Sequence, residues 1–425
     1  MNYKLRKYQQ DASDAAIKHL KEYGQPFIVV AATGAGKSLI IADICHRLDE
    51  PVLILQPSKE ILEQNYSKLK SYGVKDISMY SASMNSKVIS KFTYATIGSI
   101  YRHPEKFKHF KFVIIDECHQ VNPKNLQGMY TQFLKAIDCT NVCGLTATPY
   151  RLESKFFKEG SQLFYTSTLK MINRIYPYFF KKIVYQIETQ DLINQKFLSP
   201  IQYYQDEVDL SGLVLNSTGR DFTEESIDTF WNNQRMRKLM TIIEGIDKHC
   251  KCNLIFCSSI RQAMRLKDHM DQMGLTADVV TGTTPMKERE ATIAKFRLGA
   301  LKHLINVGVF TTGFDVPELD SIVLARPTMS LALYYQMVGR GVRLDPADPN
   351  KKLHVFDLAG VVERMGKVET IRIVKEDDGF RDKVTSERGA MTDVPLFTFK
   401  VKKEVFKQKE LLSAFNGKKR KYEKL

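Results

Sequence analysis

No stretch of the 425 residues approaches the roughly 18 uncharged apolar residues that a membrane-spanning helix requires, so no spanning segment is expected. The first residues, Met1-Asn2-Tyr3-Lys4-Leu5-Arg6, run into polar sequence rather than the apolar stretch of a secretory signal, and a cytoplasmic location is the expectation. Zinc knuckles are missing too: seven cysteines stand at 45, 118, 139, 143, 250, 252 and 257 with no pair of CxxC units among them. They read as reduced thiols, mostly buried. Acids are in deficit, 48 Asp and Glu against 63 Lys and Arg, and the net charge of +15 favours a polyanionic partner. An anionic membrane surface would serve as well as nucleic acid on charge alone, but no amphipathic anchor supports it.

What is present is a rhythm. Short runs rich in Val and Ile, at Phe27 to Ala31, Val52 to Gln56, Phe112 to Asp116 and Val142 to Thr146, alternate with longer stretches of helical period. A second series, Asn253 to Cys257, Ala277 to Thr281, His303 to Val307, Ser321 to Ala325 and Leu353 to Asp357, repeats the rhythm. Continuous apolar strands between helices predict parallel sheets covered on both faces, hence two α/β units in tandem. The expected division is 1–207 for the first unit, 208–222 for a linker, 223–375 for the second unit and 376–425 for a basic C-terminal extension. Within the first unit, 156–182 is an aromatic and Lys-rich insert, read either as core packing or as a platform that stacks on unpaired bases. From about 376 the strand rhythm is lost, and 401–425 carry nine Lys or Arg against three Glu, a tail suited to phosphate contacts.

Two motifs carry chemistry. Ala32-Thr33-Gly34-Ala35-Gly36-Lys37-Ser38 lies between a buried strand and a helix, the setting in which backbone N–H groups wrap an anion at a helix N-terminus. Thr33, Gly34 and Gly36 are candidate cradle residues, Lys37 reaches the β and γ phosphates of ATP, and the Ser38 hydroxyl is a candidate Mg²⁺ ligand. The strict GxxxxGK[ST] pattern fails by one residue, because Ala31 stands at its first glycine. About 80 residues later an apolar strand ends in Asp116-Glu117, which places two carboxylates at the carboxyl edge of a sheet, where ligands bind. Asp116 is a candidate Mg²⁺ ligand. Glu117 is then placed to orient and deprotonate an attacking water.

Asp116-Glu117-Cys118-His119 resembles the DECH box of superfamily 2 helicases, and Leu145-Thr146-Ala147-Thr148-Pro149 resembles their T-A-T element. The resemblance continues in order along residues 1–360. Leu5-Arg6-Lys7-Tyr8-Gln9 is similar to the element in which the family recognises adenine, a role it implies for Tyr8 and Gln9. Segments 56–64 and 95–100 resemble motifs Ia and Ib and imply nucleic-acid contacts for Ser58, Gln64 and Thr96. Ile255 to Ser259 resembles motif IV, which adds Ser258. Asn306 to Pro317 resembles motif V and implies phosphate contacts for Thr311 and Thr312, with Gly313 and Asp315 facing the nucleotide. Gln336-Met337-Val338-Gly339-Arg340-Gly341-Val342-Arg343 matches Q-x-x-G-R-x-x-R, which implies catalytic roles for Gln336, Arg340 and Arg343, the arginines as fingers on the γ-phosphate.

The implied fold is two tandem RecA-like domains, each a mostly parallel sheet with helices on both faces, and an ATP cleft between them. The RadD-like group is the nearest resemblance, with RecG-like and UvsW-like branched-DNA motors and type III restriction motor subunits further off. RadD-like proteins continue into a cysteine-containing zinc element, whereas no Cys follows Cys257, and partners of that element are not carried over. Thr146 in T-A-T and Gln336 at the head of the last motif lean towards DNA rather than RNA. The expected function is an ATP-dependent, Mg²⁺-dependent DNA helicase or translocase acting on forks and four-way junctions in recombination, repair or replication. It is expected to be a monomer, with single-strand-binding or recombination proteins as candidate partners. An RNA helicase, the motor of a restriction system and a nucleotide switch without strand movement are the alternatives.

Overall fold

The computed structural model describes residues 4–160, 162–205, 207–216, 221–309, 316–376 and 381–400. Every strand expected from the Val- and Ile-rich runs is there, and each of these runs forms a parallel ladder. In the first half the strands are β1 (Phe27–Ala31), β2 (Val52–Gln56), β3 (Ile77–Ser81), β4 (Ser86–Lys87), β5 (Phe92–Thr96), β6 (Phe112–Asp116) and β7 (Val142–Thr146). A hairpin of β8 (Tyr150–Glu159) and β9 (Gln162–Met171) precedes β10 (Ile183–Ile187). The sheet order is β10-β1-β7-β6-β2-β5-β3-β4, parallel except at the β3–β4 edge. Strands β1, β2, β6 and β7 are buried along their whole length, which is why they read as unbroken apolar runs rather than as alternation.

Helices seat on that sheet through their apolar stripes. In α1 (Lys7–Glu22) Tyr8, Ala12, Ala16 and Leu20 recur at one-turn spacing and are buried. Helix α2 (Lys37–Leu48) starts at Gly36, whose φ of 81° lies in the left-handed region open to glycine. Helix α3 (Lys59–Ser71) starts at Ser58, whose hydroxyl accepts from the Ile61 N–H at 3.4 Å.

The second sheet holds β11 (Ile201–Gln205), β12 (Asn253–Cys257), β13 (Ala277–Thr281), β14 (His303–Val307), β15 (Ser321–Ala325) and β16 (Leu353–Asp357) in the order β11-β16-β15-β12-β14-β13, all parallel. Strand β11 corrects the boundary at 207: Ile201–Gln205 pairs with β16 in the second sheet, so the chain has crossed over before residue 201. Its partly exposed IQYYQ sequence lacks the Val and Ile run that marks the other strands.

The reading of residues beyond 376 as having no strands is also corrected. β17 (Arg372–Lys375), β18 (Asp382–Ser386) and β19 (Gly389–Ala390) form a small antiparallel sheet, and β20 (Pro395–Lys400) pairs with β9. The chain thus returns from the second half to the first. Arg372 binds Glu188 and Asp191, each at 2.8 Å, Asn173 donates to Asp382 at 2.8 Å, and Arg174 pairs with Asp393 at 3.0 Å. Strands this short alternate too little to be read from sequence; β20 forms by long-range pairing with β9, and β17 to β19 by pairing with one another. The basic tail, 401–425, lies outside the described residues.

The insert has both buried and exposed aromatics. Tyr165 and Phe180 are fully buried, whereas Tyr176 and Tyr178 are 73% and 55% exposed, with ring centroids 5.8 Å apart. Six of the seven cysteines are buried and all are free thiols. Among the described residues no helix is long and apolar enough to cross a membrane.

Candidate nucleotide site between the two sheets

A cavity of about 250 Å³ lies where the loop after β1, helix α3, the end of β6 and the segment after the helix Leu331–Val338 meet. From the first half Thr33, Gly34, Gly36, Lys37, Ser38, Asp116 and Glu117 line it; from the second come Arg340 and Arg343. These seven expected residues therefore converge, and the two arginines face them across the gap.

The loop is tightly seated. Tyr8 Oη and Gln9 Nε2 each donate to the Ala35 carbonyl at 3.0 Å. A Cβ on Gly36 would stand 2.6 Å from Gln9 Nε2 and displace that amide, and the φ of 81° there favours glycine in its own right. Tyr8 and Gln9 were expected to meet adenine; here their side chains brace the loop from beneath. Beside them the Arg6 guanidinium stacks over Phe197 at 4.2 Å, and Tyr8 packs on the same ring at 5.5 Å.

The two acids are held differently. Glu117 has φ of 49°, a left-handed turn for a non-glycine residue that lets adjacent side chains both reach the cleft. Burial pushes the Asp116 carboxyl up to about 7, and the neighbouring Glu117 charge adds to the shift. Burial acts on Glu117 too, but Lys37, His119 and Arg340 outweigh it and hold that carboxyl well below the usual range. Lys37 Nζ stands 3.4 Å from Glu117, and the Thr146 hydroxyl donates to the same carboxylate at 3.3 Å. His119 Nδ1 lies 2.9 Å from the Thr146 hydroxyl and 3.3 Å from that of Thr148, so the acid pair and the T-A-T segment form one network. Burial pulls the Arg340 and Arg343 guanidiniums down to about 10, which leaves both charged near neutral pH.

Beside the loop the two halves approach closely: a Cβ on Gly339 would lie 2.6 Å from Thr33 Cβ and Cγ2. Next to it the Ser199 N–H donates to the Val342 carbonyl at 2.7 Å and its hydroxyl to the Arg343 carbonyl at 3.0 Å. Lys351 Nζ donates to that carbonyl too, at 2.7 Å, and to Pro317.

Other expected residues lie elsewhere. Gln64, expected to contact a nucleic-acid strand, instead lines the nucleotide cavity, because it falls on the inward face of α3 with Ile61, Asn65 and Lys68. Gln336 does not line the cavity; its carbonyl accepts from Arg340 Nε at 3.3 Å. Ser58 caps α3, Thr96 shares a hydrogen bond with Ser99 at 2.9 Å, and the Ser258 N–H donates to Gln262 at 2.8 Å. Thr311, Thr312, Gly313 and Asp315 lie outside the described residues. Sequence reasoning missed Asn65, Lys68 and Phe197. The spacing of Ile61, Gln64, Asn65 and Lys68, one helical face just after a strand end, is the signal that could have found the first two.

The donor set suits a magnesium–nucleotide complex. A hydroxyl on Ser38 and a carboxylate on Asp116 are hard oxygen donors, few in number, and Mg²⁺ takes one or two carboxylates with phosphates and water. Among the described residues no cluster of three or more His, Cys, Asp or Glu could hold a metal unaided.

Comparison with known proteins agrees with this arrangement. Residues 2–151 match the family described as type III restriction enzyme, res subunit, and residues 234–345 match the helicase conserved C-terminal domain. A putative ATP-dependent helicase, IRC3 of Saccharomyces cerevisiae, is 26% identical over 407 residues, covering 90% of this chain and 55% of that protein. Among solved structures, the ATP-dependent Type ISP restriction-modification enzyme LlaBIII bound to DNA superposes with a TM-score of 0.60 at 15% identity, over 84% of this chain and 28% of that one. Dbp5 of S. cerevisiae bound to RNA and ADP BeF3 superposes with a TM-score of 0.54 at 16% identity, over 83% of each chain. The chain thus spans about half of the yeast relative's length and under a third of the restriction enzyme's. The shared fold is two tandem RecA-like domains.

Proposed function

We propose that this chain, which carries both halves of a superfamily 2 helicase core, is an ATP-driven motor whose track is DNA and whose preferred substrates are forks and four-way junctions. The observation that carries the motor reading is the meeting of Arg340 and Arg343 from one domain with Lys37, Asp116 and Glu117 from the other in a single cavity. An arginine supplied across a gap stabilises the transition state only when the gap is closed, so hydrolysis and domain position are coupled.

Bound Mg²⁺–ATP would supply the reactive γ-phosphate, with Ser38 and Asp116 as the metal's protein ligands. Lys37 and the loop amides hold the phosphates. Glu117 is the base for the attacking water. Lys37, His119 and Arg340 keep its proton affinity low; a triphosphate that engages Lys37 and Arg340 would let that affinity rise. His119, bonded to Thr146 and Thr148, fixes the direction in which the Glu117 oxygens point.

The choice of DNA rests on Thr146 in the T-A-T segment and on Gln336, and the choice of branched DNA rests on energetics. Opening a base-pair step costs on the order of 1.4 kcal/mol of stacking, whereas at a junction pairs lost on one arm are regained on another. The net cost of each step at a junction is thus close to zero, which supports the branched-DNA reading. A second reading, the motor of a restriction system, is favoured by the family matched over residues 2–151.

The test is ATP hydrolysis at equal phosphate concentration and matched salt on a fork, a four-way junction, linear duplex, single strand and structured RNA. Forks and junctions should stimulate most and be remodelled with ATP. Stimulation by RNA above DNA would make this an RNA helicase, and equal stimulation by linear and branched duplex would make it a duplex translocase.

A further inference from the structure

Asn65 occupies the junction of three elements under the nucleotide cavity, and it is 5% exposed. The Ser38 hydroxyl, at the start of α2, donates to Asn65 Oδ1 at 2.6 Å. Asn65 Nδ2 donates to Asp116 Oδ2 at the end of β6, at 3.3 Å, and to Gln56 Oε1 at the end of β2, at 3.2 Å. A carboxamide offers two donor hydrogens and an acceptor oxygen, and here each is used on a different element.

The consequence lies in what remains for the cavity. A serine hydroxyl has one proton; with that proton given to Asn65, only lone pairs are left to face a cation. Asp116 is fixed on both oxygens, because its Oδ1 accepts the Glu117 N–H at 3.0 Å while Oδ2 accepts from Asn65. Gln56 is fully buried and, among the described residues, its Nε2 has no hydrogen-bond partner, so its carbonyl contact with Asn65 sets the position of its amide. No other side chain of this size does the same: leucine would free the serine proton to turn into the cavity, and aspartate would set a second charge against Asp116.

We propose that Asn65 is a positioning residue of the magnesium–nucleotide site, which orients the oxygens of Ser38 and Asp116 in advance of the metal and acts only through them. This rests on the reading of the cleft as a Mg²⁺–ATP site. Outer-shell partners of metal ligands are commonly worth about 10- to 100-fold in metal affinity.

The experiment is fluorescent ATP-analogue binding to the full chain, in EDTA and across a Mg²⁺ titration, for wild type, Asn65→Leu, Asn65→Ala, Ser38→Ala and Ser38→Ala/Asn65→Ala. Asn65→Leu and Asn65→Ala should keep the affinity measured in EDTA and raise the Mg²⁺ concentration for half-maximal enhancement by about 10-fold or more. In the Ser38→Ala background the Asn65 change should add much less. The EDTA affinity reports folding of each variant, and Asn65→Ala serves if leucine does not pack. Equal losses with and without Mg²⁺, or an unchanged Mg²⁺ midpoint, overturn the assignment and leave the cleft reading standing. A wild type whose nucleotide binding ignores Mg²⁺ overturns the cleft reading and this assignment with it.

Discussion

Gly339 and Gly341 stand two residues apart beside the arginines, and adding one methyl group to each should have opposite consequences. A Cβ on Gly339 would lie 2.6 Å from Thr33 Cβ and Cγ2 and 2.9 Å from the Tyr335 carbonyl oxygen. Ordinary carbon–carbon contact needs about 3.5–4.0 Å, so Gly339→Ala must push the loop and the arginine segment about 1 Å apart. Thr33 belongs to the loop that lines the cavity together with Lys37. A displacement of that size in a catalytic group costs on the order of 100-fold in rate, or about 2.7 kcal/mol of barrier. Gly341 faces inward instead: its Cβ would meet Leu353 Cδ1 at 2.3 Å and Ile322 Cδ1 at 3.2 Å, both in the second core. Gly341→Ala is therefore overpacking, worth about 1–3 kcal/mol of stability. The assays are DNA-stimulated ATP turnover and thermal melting on both variants. Gly339→Ala should melt near wild type and hydrolyse about 100-fold more slowly, and Thr33→Gly in the same chain, which removes both clashing atoms, should restore part of the rate. Gly341→Ala should lose melting temperature first. Wild-type turnover in Gly339→Ala would refute the idea that the cleft must close to this separation.

Lys37→Ala should lose nucleotide binding, whereas Glu117→Gln should retain it and lose hydrolysis; equal binding losses in a fluorescent-analogue titration would remove Glu117 from its role as base. Arg340→Ala and Arg343→Ala should each lower DNA-stimulated turnover by about 10³-fold with little change in nucleotide affinity, and steady-state kinetics beside direct binding would separate the two effects. Lys351 supplies a pH dependence: burial lowers its amine to about 8, against the opposing charges of Asp320 and Asp345. Its folded-state pKa lies below the 10.5 of an ordinary lysine amine, so its contribution to stability is lowest below pH 8 and rises towards pH 10.5. Relative to Lys351→Met, the wild type should gain about 2 kcal/mol between pH 7 and 9.5 in urea unfolding; a difference that does not change with pH would show that the amine is not buried as a charge.

Local sequence was enough to mark the strands buried on both faces, because a strand with no solvent side must be apolar throughout, and β1, β2, β6, β7, β12 and β15 carry that mark. It was also enough for the phosphate loop, where glycines at left-handed positions and a Lys at a helix start are local needs, and for the Asp116-Glu117 pair at the end of β6. What depended on distant contacts was not written locally. Strand β11 looks like a loop until β16 lies beside it, and β20 is a strand because β9 offers it an edge. Gln64 and Asn65 are adjacent residues in the sequence, and only the packing of α3 over the cleft puts one on the cavity wall and the other between Ser38 and Asp116. Tertiary structure likewise decided that Tyr8 and Gln9 spend their hydrogen bonds on the Ala35 carbonyl. The physical reason is common to all of these: burial on both faces and left-handed turns restrict a residue by its own backbone and immediate neighbours, whereas a hydrogen bond across elements depends on where the rest of the chain has brought its partner.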